Sequence, residues 1–322
     1  MTVTETAPEA TTPPPPSAPP PGPSGHRRFR GSGEFTPTDN VIRAVLLVAA
    51  LLPTLALAFL AYQMIRSAYP AIVFTGGDFF TTKGFSVGTG GYNATIIHRH
   101  GYTASGGASF GLLTLLFGTV VSSLIALIVA VPVAVGGAIL LVEKLPRRLE
   151  SIFGVFLELL AGIPSVVYGL WGYLTLAPLL ARHIYVPISH LGIPWFTKQA
   201  STGQGLLTSS LVLALMVIPI IASTTRELVR SVPVLTKEGA VGLGLTNSES
   251  VRLVTLPFIR SGVVAATFLG WGRALGETLA VLMISGNFTN TFPNSIFAPF
   301  STMAATIARL LDAALGDPTG MS

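Results

Sequence analysis

Residues Thr236 to Pro257 read TKEGAVGLGLTNSESVRLVTLP, a polar stretch between two long apolar runs. Glu238, Gly239 and Ala240 open it, Gly244 follows six residues after the glutamate, and Val254, Leu256 and Pro257 close it. Thr236 can cap a short helix beginning at Lys237. Gly242 and Gly244 can end that helix in a left-handed turn, where a Cβ would be penalised. Thr246 and Glu249 have the spacing of a capping box and head a second short helix carrying Val251, Leu253 and Val254. Pro257 restricts the residue before it, so the second helix is expected to end there. The stretch is therefore predicted to be a compact helix-turn-helix whose small residues let another protein approach closely.

The rest of the chain sets this island in a membrane. Of 322 residues, 50% are apolar and only 10% charged, and the mean hydropathy is +0.67. Several apolar runs exceed the roughly 20 residues that cross a hydrocarbon core. The fold class this implies is an all-α, polytopic integral membrane protein. The chain has no cysteine, which excludes a disulfide framework, a thiolate metal site and a cysteine nucleophile. A net charge of +5 is accounted for by lysines and arginines on the cytoplasmic side, with no nucleic-acid partner required.

Working outward, residues 1–40 are rich in Pro, Thr and Ser, including Pro13–Pro16 and Pro19–Pro21. Such a segment buries too little apolar surface to offset its ordering entropy and is expected to be a disordered, solvated cytoplasmic tail. It has no basic n-region followed by an apolar h-region, so it does not read as a signal peptide. His26, Arg27, Arg28 and Arg30 then anchor the cytoplasmic face, and Thr36 with Pro37 marks a helix start. The first span is expected at about Val41–Tyr62, followed by a loop over 67–110 with a Gly90–Gly91 turn. Further runs lie at about Leu112–Val142, Ile152–Leu180, Leu206–Ser223 and Val263–Ser285. In the second, Pro132 with Gly136 and Gly137 is expected to kink the helix or permit close packing.

Placing the N-terminus in the cytoplasm puts eleven Lys and Arg on inside segments and five on outside segments. The 236–257 loop then faces the cytoplasm. Residues 41–285 read as the transmembrane domain. Beyond it, 286–322 is expected to be an extracytoplasmic segment, possibly truncated, with an amphipathic helix over Ile296–Leu315 on the outer surface. Pro299, Arg309 and Asp312 interrupt its apolar character.

Three charged residues fall inside the expected spans: Glu158, Arg273 and Glu277. A charge at the bilayer centre costs roughly 2.5–3.5 kcal/mol on the insertion scale and so normally faces a cavity or a partner. Arg273 and Glu277 are four residues apart, which in an unbroken helix places them on one face. The surrounding GWGRALGETLAV is glycine-rich and allows close approach. An arginine fork suits the oxygens of an oxyanion, and a neighbouring carboxylate accepts a hydrogen bond from one that still carries a proton. That combination favours hydrogen phosphate over sulfate. Mutual neutralisation within the bundle is the competing reading, and for Glu158 a partner on another helix is as well supported as a substrate contact. His98 and His100 have no third metal ligand in view. No G-x-x-x-x-G-K-[ST] is present and no enzyme active site is visible.

The spacing of Glu238, Gly239, Ala240, Gly244, Val254, Leu256 and Pro257 resembles the EAA loop of bacterial ABC importer permeases, with Gly239 in place of the first Ala and Val254 in place of Ile. Over residues 110–285 the resemblance narrows to the PstC-type permease subunits of phosphate-specific importers. It is carried by AVPVAVGGAILLVEKLPRRL, LELLAGIPSVVYGLWG, LVLALMVIPIIASTTRE and GRALGETLAV.

The resemblance implies a type I ABC importer transmembrane domain, for which six spans are expected against about five visible. It implies a second permease subunit (PstA-type), a dimer of ATP-binding subunits (PstB-type) and an extracytoplasmic phosphate-binding protein (PstS-type). ATP would be bound by the partner, this chain holding no cofactor and carrying no catalytic residue. Glu238, Gly239, Ala240, Gly244, Leu256 and Pro257 would couple to the ATPase, and Arg273, Glu277 and Glu158 would line the substrate pathway. A permease for sulfate or molybdate, or a secondary transporter that needs no ATPase, are the alternatives.

Overall fold

The computed structural model describes residues 37–86, 88, 95–190, 202–289 and 292–315. The expectations for the proline-rich tail, the 26–30 basic cluster and the Gly90–Gly91 turn lie outside these residues. The chain divides into two units, Met1–Tyr62 and Gln63–Ser322. Helix α1, Pro37–Thr75, runs through the boundary. In the first unit every described side chain from Asn40 to Tyr62 is exposed, including Leu46, Leu52, Leu55 and Phe59. A helix apolar all round has lipid as its natural surroundings.

The helix continues thirteen residues past the expected end at Tyr62 and stops where Gly76 takes φ +67°, a conformation that strains any residue with a Cβ. Part of the expected 67–110 loop is therefore helix. The remainder holds two antiparallel ribbons, Phe85–Ser86 (β1) with Ser109–Phe110 (β4) and Ile96–Arg99 (β2) with Tyr102–Ser105 (β3). His100 and Gly101, both at positive φ, form the two-residue turn of the second ribbon. Phe74, Phe85 and Phe110 pack edge-to-face beneath the ribbons.

The bundle is built on helix α2, Leu113–Glu143, and helix α7, Leu206–Arg230. Ala126, Ala130, Ala134 and Ala138 recur every fourth residue on α2 and are all buried, a small-residue stripe that lets the backbones approach. α2 runs unbroken through Pro132. Gly136 and Gly137 have no atom within 4 Å of where a Cβ would stand, so the alanine stripe, not the glycine pair, makes the close packing. Helix α10, Leu256–Leu275, joins them through Gly270, where a Cβ would fall 2.7 Å from Val217 Cγ1 and 2.9 Å from Ile221 Cδ1.

The third apolar run is not one straight span. Helix α3, Arg147–Ala161, turns through 90° into the stretch Ser165–Ser189. Ile163 precedes Pro164 and is disfavoured in the α region, and here α3 ends at Ala161. The second arm comprises α4 (Ser165–Trp171), α5 (Ala177–Leu180) and α6 (Val186–Ser189), joined by wider turns over 172–176 and 181–185. On α3 the apolar Phe153, Phe156 and Leu159 point outward while Glu150 and Gly154 are buried. That inside-out pattern belongs to a membrane protein. Among the described residues four helices are long and apolar enough to cross a membrane, or five if the bent pair counts as one span.

After α10 come a short helix α11, Leu279–Ile284, and a last helix α12, Met303–Leu315. The segment between them is not laid on an outer surface as expected. Its residues Phe297, Ala298, Phe300 and Ser301 are buried. Leu206 N donates to Ala298 O at 3.1 Å, Leu207 N to Ile296 O at 3.0 Å and Phe300 N to Ser285 O at 2.9 Å. The free amides at the start of α7 supply the first two of these bonds. Helix α12 begins at Met303, not Ile296, with Ala305 and Thr306 buried and Ile307 and Leu311 exposed.

Candidate functional site

The stretch quoted at the outset folds into helix α8, Val234–Gly242, and a short helix α9, Asn247–Ser250. Gly244, at φ +90°, lies between them. Leu245 N donates to Ala240 O at 3.2 Å and Gly244 N to Val241 O at 2.9 Å, the paired bonds of a Schellman ending. The capping box is present in both directions. Glu249 N donates to Thr246 Oγ1 at 3.3 Å and Thr246 N to Glu249 Oε2 at 2.8 Å. Thr236, however, is not the cap of α8. The helix already begins after Pro233, whose fixed φ suits a helix start, and Thr236 N donates to Pro233 O.

Pro257 does not end a helix either. A wide turn over Val251–Thr255 joins α9 to α10, and Leu256 N reaches back five residues to Val251 O. The looser turn makes room for the proline ring, which would otherwise strike the carbonyl four residues earlier.

Glu238, Gly239, Gly244, Leu256 and Pro257 are exposed, and Ala240 is turned inward. Leu235 is 81% and Leu243 86% exposed beside them. No atom lies within 4 Å of a Cβ placed on Gly239, Gly242 or Gly244. A protein surface can therefore come down onto the backbone of this segment. The segment is attached to the bundle by Val254, which packs against Val229, Val232 and Ile259, and by Glu143 at the end of α2, whose Oε1 accepts from Lys237 Nζ at 2.6 Å and Thr255 Oγ1 at 3.3 Å.

The second candidate group lies at the other end of α10. Arg273 is exposed in its last turn. The helix ends at Gly276, so Glu277 stands past its end and the two residues do not share a helix face as expected. Glu277 is 8% exposed, and its Oε1 accepts from Ala280 N at 3.4 Å. Among the described residues no ion pair joins Arg273 to Glu277. Both line one concavity of about 660 Å³ with Ile220, Phe268, Leu269, Gly272 and Gly276. A cation at an apolar wall beside a buried carboxylate can take an anion that still carries a proton.

Glu158 has a different partner, Arg226 on α7, at 3.1 Å. Arg226 is 7% exposed and also meets Glu227, while Arg230 bonds Glu150 at 2.7 Å. A Cβ on Gly154 would strike the Arg226 guanidinium, so the glycine makes the space for it. Sequence reading missed Arg226 and Glu143 because both were placed at the margins of spans, where charge is ordinary. His98 and His100 are exposed, and no group of three metal-ligating side chains occurs among the described residues.

With this geometry in hand, residues 130–315 match the model of the binding-protein-dependent transport system inner membrane component family. The chain is similar to the phosphate transport system permease proteins PstC 1 of Mycobacterium bovis and Mycobacterium tuberculosis. Each is 45% identical over 296 residues, covering 90% of this chain and 87% of the relative. The PstC of Mesorhizobium japonicum is 37% identical over 289 residues, covering 88% of this chain and 82% of the relative.

Proposed function

Since this chain belongs to the family of inner membrane components of binding-protein-dependent transport systems, we propose that it is the permease subunit of an ATP-driven importer that moves inorganic phosphate across the cytoplasmic membrane. The observation that carries this reading is likeness to phosphate transport permeases along nine-tenths of the chain. The exposed, glycine-opened segment at 236–257 supports it.

The work divides as follows. ATP is bound and hydrolysed by a pair of PstB-type subunits that dock from the cytoplasm on Glu238, Gly239, Gly244, Leu256 and Pro257, with Ala240 seating α8 from within. A PstS-type protein delivers phosphate from outside, and a PstA-type subunit completes the pathway. The N-terminus is cytoplasmic, in keeping with the excess of Lys and Arg on that side. Arg273 offers its planar fork to the phosphate oxygens, and Glu277 accepts a hydrogen bond from the P–OH that hydrogen phosphate retains and sulfate lacks. Glu158 contributes through Arg226.

Phosphate uptake tests this in cells lacking their own importer, with the chain expressed beside its partner subunits and sulfate added as competitor. The expected result is uptake indifferent to sulfate that falls by about 100-fold in Arg273→Gln, the scale of losing one charge-assisted contact. Uptake that survives in Arg273→Gln with the complex assembled removes Arg273 from the pathway. Competition by sulfate removes the phosphate assignment.

A further inference from the structure

Two hydrogen bonds converge on one carboxylate oxygen. Oε1 of Glu143 accepts from Lys237 Nζ at 2.6 Å and from Thr255 Oγ1 at 3.3 Å. Lys237 immediately precedes Glu238 in α8, and Thr255 immediately precedes Leu256 at the end of the wide turn. One oxygen therefore ties both arms of the coupling segment to the end of α2. The tie is partly buried. The Lys237 and Glu143 side chains are 23% and 18% exposed, and Thr255 is fully buried.

The helix itself does not call for this residue. A carboxylate at a C-terminus faces the negative end of the helix dipole, the unfavourable placement, and here the Lys237 ammonium offsets it. A short, partly buried charge-assisted bond is also stronger than a fully exposed pair. The residues offered to a partner, Leu235 and Leu243 among them, are not the ones that hold Glu143. Contact and attachment are thus separate. From Glu143 the path continues along α2 to the alanine stripe, across to α7, and through Gly270 to α10, which carries Arg273.

We propose that Glu143 is a positioning residue that carries displacement of the coupling segment into α2, and so links the ATP-binding subunits to the phosphate pathway. This rests on the reading of 236–257 as their docking site.

The test uses the whole importer in ATP-loaded proteoliposomes. It compares wild type, Glu143→Gln and the charge-swapped Glu143→Lys with Lys237→Glu. Three quantities are read: co-purified ATP-binding subunit, ATP hydrolysed, and phosphate moved per ATP. Glu143→Gln keeps the shape and loses the charge. The expected result is unchanged co-purification, hydrolysis close to wild type, and phosphate per ATP lowered by about ten-fold, the loss of one charge-assisted bond. The swap is expected to recover most of that ratio.

Lys237→Met breaks the same tie from the other side and serves if Glu143→Gln fails to accumulate. A ratio left at the wild-type value overturns the clamp, including the case in which uptake and hydrolysis fall together. So does a swap that restores nothing. A wild-type complex that moves no phosphate overturns the importer reading itself, and the clamp with it.

Discussion

At Gly118 the backbone of α2 lies against the Ser301 carbonyl so closely that an added Cβ would overlap it. A backbone atom cannot swing aside as a long side chain can. Gly118→Ala is therefore expected to destabilise the protein by roughly 1–3 kcal/mol, the usual cost of overpacking. Gly136, on the same helix, has open space around its Cβ position. There Gly→Ala is expected to be neutral or to stabilise by about 0.5–1 kcal/mol through helix propensity. Thermal denaturation of the two variants in detergent separates them, and equal midpoints would refute the packing argument. The charged residues follow the same logic. Glu158 stood out as a charge in an apolar run, but its partner Arg226 lies 68 residues away on another helix. No local pattern encodes such a pair.

Among the elements, the turns of the coupling segment were the most legible. The Thr246–Glu249 box and the left-handed Gly244 follow from side-chain reach and from the absence of a Cβ, both local properties. Thr246→Ala removes the cap, worth about 1 kcal/mol, so the amides of Glu249 and Ser250 should exchange with solvent roughly five-fold faster. Mass-resolved hydrogen exchange on that peptide checks it, and unchanged rates would show that tertiary contacts alone hold α9. The prolines were less legible. Pro178, Pro187 and Pro257 each stand two residues after a wide turn, at 172–176, 181–185 and 251–255, and in each case the helix goes on. Pro164 instead sits at a 90° break. Proline removes a donor and crowds a carbonyl in every case. Whether the chain answers with a wider turn or a corner depends on what packs around it.

For the whole molecule, the decisive feature is the return of residues 292–305 into the bundle. Phe300 is fully buried among α2, α7 and α10 side chains, and Phe297 stacks on Tyr185 with ring centroids 4.1 Å apart. Phe300→Ala is expected to cost roughly 3–5 kcal/mol and to lower the yield of monodisperse chain in detergent. A wild-type elution profile and midpoint would mean that the segment is peripheral after all. Hydropathy could not reveal this packing, because 286–302 is short, broken by Pro293 and Pro299, and rich in Ser and Thr. Its burial is made tolerable by bonds such as Met303 N to Thr119 Oγ1 at 3.0 Å.

By itself, the sequence determined that this is a helical membrane protein, where its long apolar runs lie, and how the 236–257 segment turns. These properties depend on transfer free energy and on residues a few positions apart, which a linear reading contains. The tertiary structure alone decided that the third run breaks at Pro164, that Glu277 leaves the helix bearing Arg273, and that Glu143 holds Lys237 and Thr255. Each depends on which distant backbone or side chain comes within a few ångströms, and in a bundle this is set by packing between helices.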